Sequence, residues 1–270
     1  MKKLTKTVII LIGILIVSCS SDDSNEQEPE SSGLLERMEI QNTSTPYIYE
    51  FNYNDNNTIN EIYFYNYFAG DRKDKFYYNN QGSIEYIESI LLSNDQVVQT
   101  VNFNYNASNE LISEIRIDNE NNNEIIERGD YFYENGAFSC LNRCFDIECN
   151  SFQQICYEFD GNGNSYTTTY SDDNGQTLVQ IDVSEFDNGK SAFFGSNLTE
   201  IRYLTNPALG FLIVNKNLIS KEVTTYFATG GIQSEFQYDY TTEFNSSDLP
   251  TQITISSNQS ADSTILYEYY

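Results

Sequence analysis

Residues 101–115 read Val-Asn-Phe-Asn-Tyr-Asn-Ala-Ser-Asn-Glu-Leu-Ile-Ser-Glu-Ile. Apolar residues occupy alternate positions in 101–105, which is the period of a β-strand with one buried face. The polar run 106–109 is typical of a hairpin turn, because asparagine tolerates the positive φ that such turns require. Aliphatic residues then return between Leu111 and Ile115. The stretch therefore predicts a strand, a tight turn and a second strand.

The same pattern recurs along the chain. Copies precede this stretch at 49–62 and 76–87, and weaker copies follow it at 131–136, 157–161 and 186–189. An aromatic residue closes the first strand of each copy, and these anchors are Tyr53, Tyr78, Tyr105, Tyr133, Phe159 and Phe186. They lie 25, 27, 28, 26 and 27 residues apart, and a near-constant spacing marks a repeat architecture.

One hairpin cannot bury its own apolar face, so we expect neighbouring copies to pair edge to edge. The sequence therefore predicts an all-β fold, a long curved antiparallel meander of repeated β-hairpins of about 25–28 residues. We expect its curvature to enclose one aromatic face. We also expect residues 206–214 to form a short helix or buried loop that plugs one end of the sheet.

The composition excludes several classes of protein. The 270 residues include 40 acidic and 14 basic side chains, which gives a formal charge of −26 and a pI near 4.1. Binding of nucleic acid is excluded, because it depends on many lysine and arginine contacts to phosphates. The chain contains no histidine, which removes Ser-His-Asp catalysis and imidazole metal sites. Twenty-two tyrosines and 17 phenylalanines beside 4 prolines favour strands.

The N-terminus predicts export. Three lysines precede an apolar run at 8–17, which is too short to span a bilayer and typical of a signal peptide. The run ends at Ser18-Cys19, which resembles the lipobox of bacterial lipoproteins. An ordinary signal peptide or a signal anchor is the alternative. We predict a signal peptide at 1–18, lipidation of Cys19 and an acidic flexible tether at 19–33.

Four further cysteines lie close together in an insert at 140–156, and they are Cys140, Cys144, Cys149 and Cys156. A thiolate metal site is one interpretation, but the spacing lacks the C-x2-C pair that is typical of structural zinc. Clustered cysteines of an exported protein are normally oxidised, so we predict two disulfides. Three pairings are open, and Cys140–Cys156 with Cys144–Cys149 would nest most simply.

Two later segments are similar to a known family. Residues 185–194 (Glu-Phe-Asp-Asn-Gly-Lys-Ser-Ala-Phe-Phe) are similar to Y-x-Y-D-x-K-x-x-P-F, with Ala192 in the place of the proline. Residues 244–254 and 266–270 are similar to Y-N-x-D-G-L-P-T-x-I followed by Y-x-Y. With the hairpin repeats and the lipobox, they resemble the diverged YD (RHS-like) repeats of Bacteroidetes outer-membrane lipoproteins. The resemblance implies an exported all-β domain over 34–270 and supplies no catalytic residue.

We therefore predict a non-catalytic lipoprotein of the outer membrane that faces the cell exterior and needs no cofactor or metal. Residues 63–68 are aromatic on both alternating faces, so Tyr63, Tyr65 and Tyr67 are the candidate binding residues, with core packing as the competing interpretation. The expected partners are the membrane, through the N-terminal lipid, and a glycan or an envelope protein. The alternative function is a carboxylate-based hydrolase acting on extracellular glycans, since two suitably spaced acids suffice for that chemistry.

Overall fold

The computed structural model describes residues 33–41, 45–66, 70–134, 136–145, 148–193, 215, 217–228, 230–259 and 261–270. Within these ranges the chain forms sixteen β-strands and no α-helix. The strands are β1 Leu35–Gln41, β2 Tyr47–Tyr53, β3 Ile59–Tyr65, β4 Arg72–Tyr78, β5 Ile84–Leu91, β6 Val97–Tyr105, β7 Leu111–Asp118, β8 Glu124–Glu134, β9 Ala137–Cys144, β10 Phe152–Phe159, β11 Ser165–Ser171, β12 Thr177–Lys190, β13 Asn217–Ala228, β14 Gly231–Phe244, β15 Pro250–Ser257 and β16 Ser263–Tyr269.

Every strand pairs antiparallel with its neighbours in the chain, and β1 also pairs with β16. The sheet therefore closes into a barrel. This confirms the predicted all-β meander of hairpins, although the repeat pattern did not predict closure. All of the strand pairing lies between Leu35 and Tyr269, so a fragment that begins at Gly33 contains every strand.

The repeated turns share one geometry. The Asn106 side chain accepts hydrogen bonds from the backbone N–H groups of Ser108 and Glu110, both at 2.9 Å. The fourth turn residue, Asn109, has a φ of 62°, and the equivalent Gly82 has a φ of 85°. Only glycine, asparagine and aspartate adopt this conformation cheaply, which explains why they recur there. We call the end of the barrel that carries these turns the repeat-turn end.

The tyrosine anchors of the repeat donate hydrogen bonds to backbone carbonyl groups. The Tyr53 hydroxyl donates to the Leu35 carbonyl at 2.9 Å, and the Tyr105 hydroxyl donates to the Ile84 carbonyl at 2.8 Å. Tyr78 and Tyr133 make the equivalent bonds to the carbonyl groups of Ile59 and Leu111. Each hydroxyl thus ties the end of one strand to the start of the strand before it. This recurring bond gives the spacing of the anchors a structural cause.

In the second strand of each of the first hairpin repeats, the first, fourth and sixth residues point into the barrel interior, because a bulge follows the turn. In β3 these positions are Ile59, Ile62 and Phe64, all of which are buried. The Phe51 and Phe193 rings meet edge to face in the same core, with centroids 5.9 Å apart. The enclosed aromatic face that the sequence predicts is therefore present.

The two segments that carry the family resemblance lie against each other. A Cβ atom added to Gly189 would stand 2.0 Å from the Phe244 ring, so the ring packs directly on the glycine backbone. The Lys190 N–H donates to the Asp248 carbonyl at 3.1 Å. These contacts connect the end of β12 to the turn before β15.

No described helix has the length and apolar character to cross a membrane. The predicted plug at 206–214 lies outside the described residues.

Candidate functional site

The outer surface of the barrel carries a group of tyrosines on three adjacent strands. Tyr63 and Tyr65 lie on the outward side of β3 with parallel rings, and Tyr77 of β4 stacks on Tyr86 of β5 at 4.3 Å between centroids. The strand register places Lys73 beside Tyr63. We call Tyr63, Tyr65, Tyr77 and Tyr86 the outer tyrosine patch. Alternation in β3 and β4 produces it, because the intervening residues face the core.

In the outer tyrosine patch, each tyrosine hydroxyl that has a carboxylate neighbour donates a hydrogen bond to that carboxylate. The Tyr63 hydroxyl donates to Glu61 at 2.8 Å, and the Tyr77 hydroxyl donates to Glu88 at 2.7 Å. The hydrogen bond to Glu61 raises the pKa of Tyr63. Burial and the bond to Glu88 raise the pKa of Tyr77 to about 12. The phenols of Tyr63 and Tyr77 therefore stay protonated at neutral pH.

Two lysines lie over the rings. The Lys73 ammonium lies 5.5 Å from the Tyr63 centroid, and the Lys75 ammonium lies 5.2 Å from the Tyr77 centroid. Lys73 also forms an ion pair with Glu61 at 2.8 Å, and this bond raises the lysine pKa. The patch thus presents aromatic rings, ammonium groups and carboxylates together, which is the set of groups that recognises hydroxyl-rich ligands.

Two of the three predicted binding residues lie within the described part of the chain. The structure places Tyr63 and Tyr65 together on the outer surface, whereas Tyr67 and Cys19 lie outside the described residues. Whether Tyr63 and Tyr65 bind a ligand stays a prediction. Sequence reasoning missed Tyr77 and Tyr86, although the alternation of Lys73, Lys75 and Tyr77 in β4 was a signal that could have found them.

A second group of functional side chains lies inside the barrel on β7, β8 and β9. Glu114 and Arg116 occupy the interior positions that Ile62 and Phe64 hold in β3. Arg116 pairs with Glu127 at 3.2 Å, and Arg143 donates to the same carboxylate. Glu114, Arg116 and Glu127 are only 2%, 7% and 7% exposed. We call Glu114, Arg116, Glu127 and Arg143 the interior charged cluster.

The two carboxyl groups of this cluster have different surroundings. Burial raises the pKa of Glu114 to about 8, against the opposing effects of Arg116 and of the Tyr131 hydroxyl, which donates to it at 2.9 Å. Glu127 accepts from two guanidinium groups through both of its oxygens. Two neighbouring carboxyl groups in different surroundings resemble the arrangement of a glycosidase. Here, however, the oxygens of Glu127 are occupied and Glu114 is inaccessible, so the arrangement favours a structural role.

Glu222 is a further buried acid, on the opposite part of the barrel wall. It is 8% exposed, and the Tyr240 hydroxyl donates to it at 2.9 Å. Burial raises its pKa, and the hydrogen bond from Tyr240 acts in the opposite direction. The barrel interior therefore holds two carboxyl groups with raised pKa values, on β7 and β13.

The cysteine insert forms two disulfides with the nested pairing, Cys140–Cys156 and Cys144–Cys149. Cys140 and Cys156 are directly opposite each other on β9 and β10. Cys144 and Cys149 close the connection between those strands. The Asp130 carboxylate lies within 4.8 Å of both sulfurs of the second pair. Because these sulfurs are joined to each other, they offer no thiolate to a metal ion.

The fold defines a class of protein: within the described residues it is a closed antiparallel barrel of sixteen strands. Among solved structures, the chain is similar to a porin-like protein from Bacteroides vulgatus, with a TM-score of 0.56 and 11% identity over 88% of this chain and 99% of that one. This likeness shows the fold.

Two further structures match with lower scores. A porin-like protein from Bacteroides uniformis matches with a TM-score of 0.40 and 14% identity, over 87% of this chain and 96% of that one. The Tc holotoxin pore of Photorhabdus luminescens matches with a TM-score of 0.29 and 13% identity, over 80% of this chain and 9% of that one. No family model matches the sequence, and no curated protein matches it.

Proposed function

We propose that the protein is a non-catalytic lipoprotein of the outer membrane, whose barrel stands in water at the cell exterior and binds a partner through the outer tyrosine patch. The observation that carries this proposal is the polarity of the outer wall. On β14 the exposed outward positions include Glu235, Gln237 and Asp239. On β4 the outward positions include Lys73 and Lys75, which are half-buried.

A barrel that spans a bilayer needs the reverse arrangement, a continuous apolar band on its outside. Lipid contact with the charged rows of β4 and β14 would be strongly unfavourable. The interior also differs from a water-filled channel along β2 and β3. Phe51, Phe64 and Ile62 there are at most 1% exposed. These features support a water-surrounded barrel over a pore.

A water-surrounded barrel at a membrane needs an anchor, and the Ser18-Cys19 motif supplies one. The chain enters the barrel at Leu35, which is at the repeat-turn end beside Tyr53. The tether that the sequence predicts at 19–33 would span roughly 20 Å on average. The proposal also includes that the hairpins are diverged YD repeats, as the family resemblance implies.

The groups of the outer tyrosine patch fit a neutral glycan. Tyrosine rings stack on the apolar faces of sugars, while carboxylates and ammonium groups pair with sugar hydroxyls. Glu61 and Glu88 offset the positive charge of Lys73 and Lys75, which disfavours a strongly ionic ligand. An envelope protein with a comparable hydroxyl-rich surface is the other partner of this kind.

Two experiments test the proposal. Cys19→Ala in the full chain should abolish retention in the membrane fraction after an alkaline wash, and retention of the variant would show that the anchor is assigned wrongly.

For the binding role, the fragment from Gly33 is screened on a glycan array and against glycosidase substrates. Binding that is lost in Tyr77→Ala and kept in the distant variant Tyr166→Ala supports the patch. Turnover that disappears in Glu114→Gln or Glu127→Gln would instead establish the hydrolase.

A further inference from the structure

The hairpin β7–β8 reverses the usual polarity of the barrel wall, with charged side chains on its inner side and apolar side chains on its outer side. Because Glu114 and Arg116 face the interior, Ile115 and Ile117 face outward, where they pair with residues of β6 and β8. Three more apolar side chains are exposed on this hairpin: Ile112 at 42%, Ile126 at 39% and Phe132 at 44%. We call these five residues the isoleucine face.

The surroundings of the isoleucine face are unusual for a chain of charge −26. Strand β6 contains no charged residue, and in β9 the one charged residue, Arg143, faces inward. Away from strand ends, the described outward positions of β6–β9 carry only two charges, Arg128 and Asp130. These two form an ion pair with each other at 2.9 Å. The face is therefore both apolar and electrically neutral.

We infer that the isoleucine face is the contact surface for a second copy of this chain. The argument rests on the order of residues along β8. Along β8, Arg128 and Asp130 lie at equal distances from Gly129, on opposite sides of it. Ile126 and Phe132 are likewise equidistant from Gly129. A twofold axis that crosses β8 at Gly129 would place Arg128 against Asp130 of the second copy and Ile126 against its Phe132.

The neighbouring strand fits the same axis. Glu114 lies opposite Gly129 in the β7–β8 pairing, so the axis crosses β7 there. Ile112 lies two residues from Glu114 on one side and Ile117 lies three residues from it on the other, so the two side chains approach each other across the axis, while Ile115 meets Ser113 of the second copy. On β8, apolar residues meet apolar residues, and each charge meets its opposite. This self-complementarity is what an isologous interface requires.

The size of the surface is adequate. Strands β6–β9 at a spacing of about 4.8 Å, with about 25 Å of length, cover roughly 500 Å² in projection. A standard interface takes about 800 Å² of accessible surface from each partner, and a side-chain surface exceeds its projection. A bilayer is the poorer occupant, because it would bury the Arg128–Asp130 ion pair without providing hydrogen bonds.

The test is sedimentation velocity on the fragment from Gly33 over a range of protein concentrations. We expect a monomer–dimer equilibrium that shifts toward the dimer as salt screens the repulsion between the acidic barrels. Phe132→Glu should weaken the dimer more than about tenfold, since it places an unpaired charge against Ile126 of the second copy. Ile232→Glu is the matched control, because Ile232 is 65% exposed on β14, outside the isoleucine face.

A pair of charge-exchange variants distinguishes loss of the dimer contact from loss of folding. Arg128→Asp and Asp130→Arg should each remain monomeric alone, because like charges then meet across the axis. Mixing the two variants should restore a dimer that contains one of each.

A native fragment that stays monomeric at every concentration and salt level would overturn the inference, as would equal dimerisation of Phe132→Glu. Binding to phosphatidylethanolamine vesicles that is lost in Phe132→Glu, without self-association, would assign the face to lipid and also overturn it.

Discussion

The interior carboxyl of Glu114 should make the barrel less stable as the pH rises. In the folded state its pKa is about 8, against an ordinary value of 4.5. Between these values the folded protein holds a proton that the unfolded chain has released, so the free energy of unfolding falls with rising pH. The slope is about 1.4 kcal/mol per pH unit, which amounts to about 3–5 kcal/mol over the whole interval.

Glu114→Gln removes this dependence and keeps the shape of the side chain. The amide oxygen still accepts the hydrogen bond from Tyr131. At pH 5 the variant and the native protein should unfold within about 1 kcal/mol of each other, because the native carboxyl is then mostly protonated. Near pH 9 the variant should be more stable by about 3–5 kcal/mol.

Urea unfolding at pH 5, 6, 7, 8 and 9 measures the difference. Glu85→Gln serves as the control, since it removes one negative charge from an exposed position of β5. Native and Glu114→Gln curves that remain parallel from pH 5 to pH 9 would refute the reasoning. A control that reproduces the effect of Glu114→Gln would show that net charge, and not the buried site, is responsible.

The remaining predictions concern the framework of the barrel. Tyr105→Phe should cost about 1–2 kcal/mol of unfolding free energy in urea titrations, because a strand carbonyl loses its hydroxyl donor; an unchanged midpoint would contradict the capping role. Gly189→Ala should cost about 1–3 kcal/mol in thermal unfolding, and combining it with Phe244→Ala should cost less than the two separate changes together, since the clash is then absent. Thiol titration of the denatured, unreduced fragment should find no free cysteine. Removing the Cys140–Cys156 bridge should lower stability by about 3 kcal/mol, and four reactive thiols together with bound zinc would favour the metal site.

The hairpin repeat was predictable from the sequence because its signal is local. Alternation and asparagine-rich turns are readable over a few residues, and the anchors Tyr53, Tyr78, Tyr105 and Tyr133 have a common hydrogen bond that fixes their spacing. Closure was not predictable in this way. It depends on the pairing of β1 with β16, which joins residues at opposite ends of the chain.

The interior charged cluster escaped sequence reasoning for a physical reason. In residues 111–117 the aliphatic side chains suggest a buried face, and Glu114 and Arg116 look like the exposed side of an ordinary strand. The bulge after the turn shifts the alternation by one residue, so the charged side chains face inward. The same shift produced the isoleucine face. By contrast, the nested disulfides were among the sequence-based expectations, since four cysteines allow only three pairings.

The pairing of β1 with β16 has a consequence for biogenesis. Translation supplies the partner of β1 only when residues 263–269 have been made, so a nascent chain carries two unsatisfied strand edges until then. Such edges are templates for aggregation, so the unfinished chain must be kept from self-associating during that interval. A stop codon before Ser263 would leave both edges permanently open. Premature termination there should therefore yield insoluble material or proteolysis, and not a slightly smaller barrel.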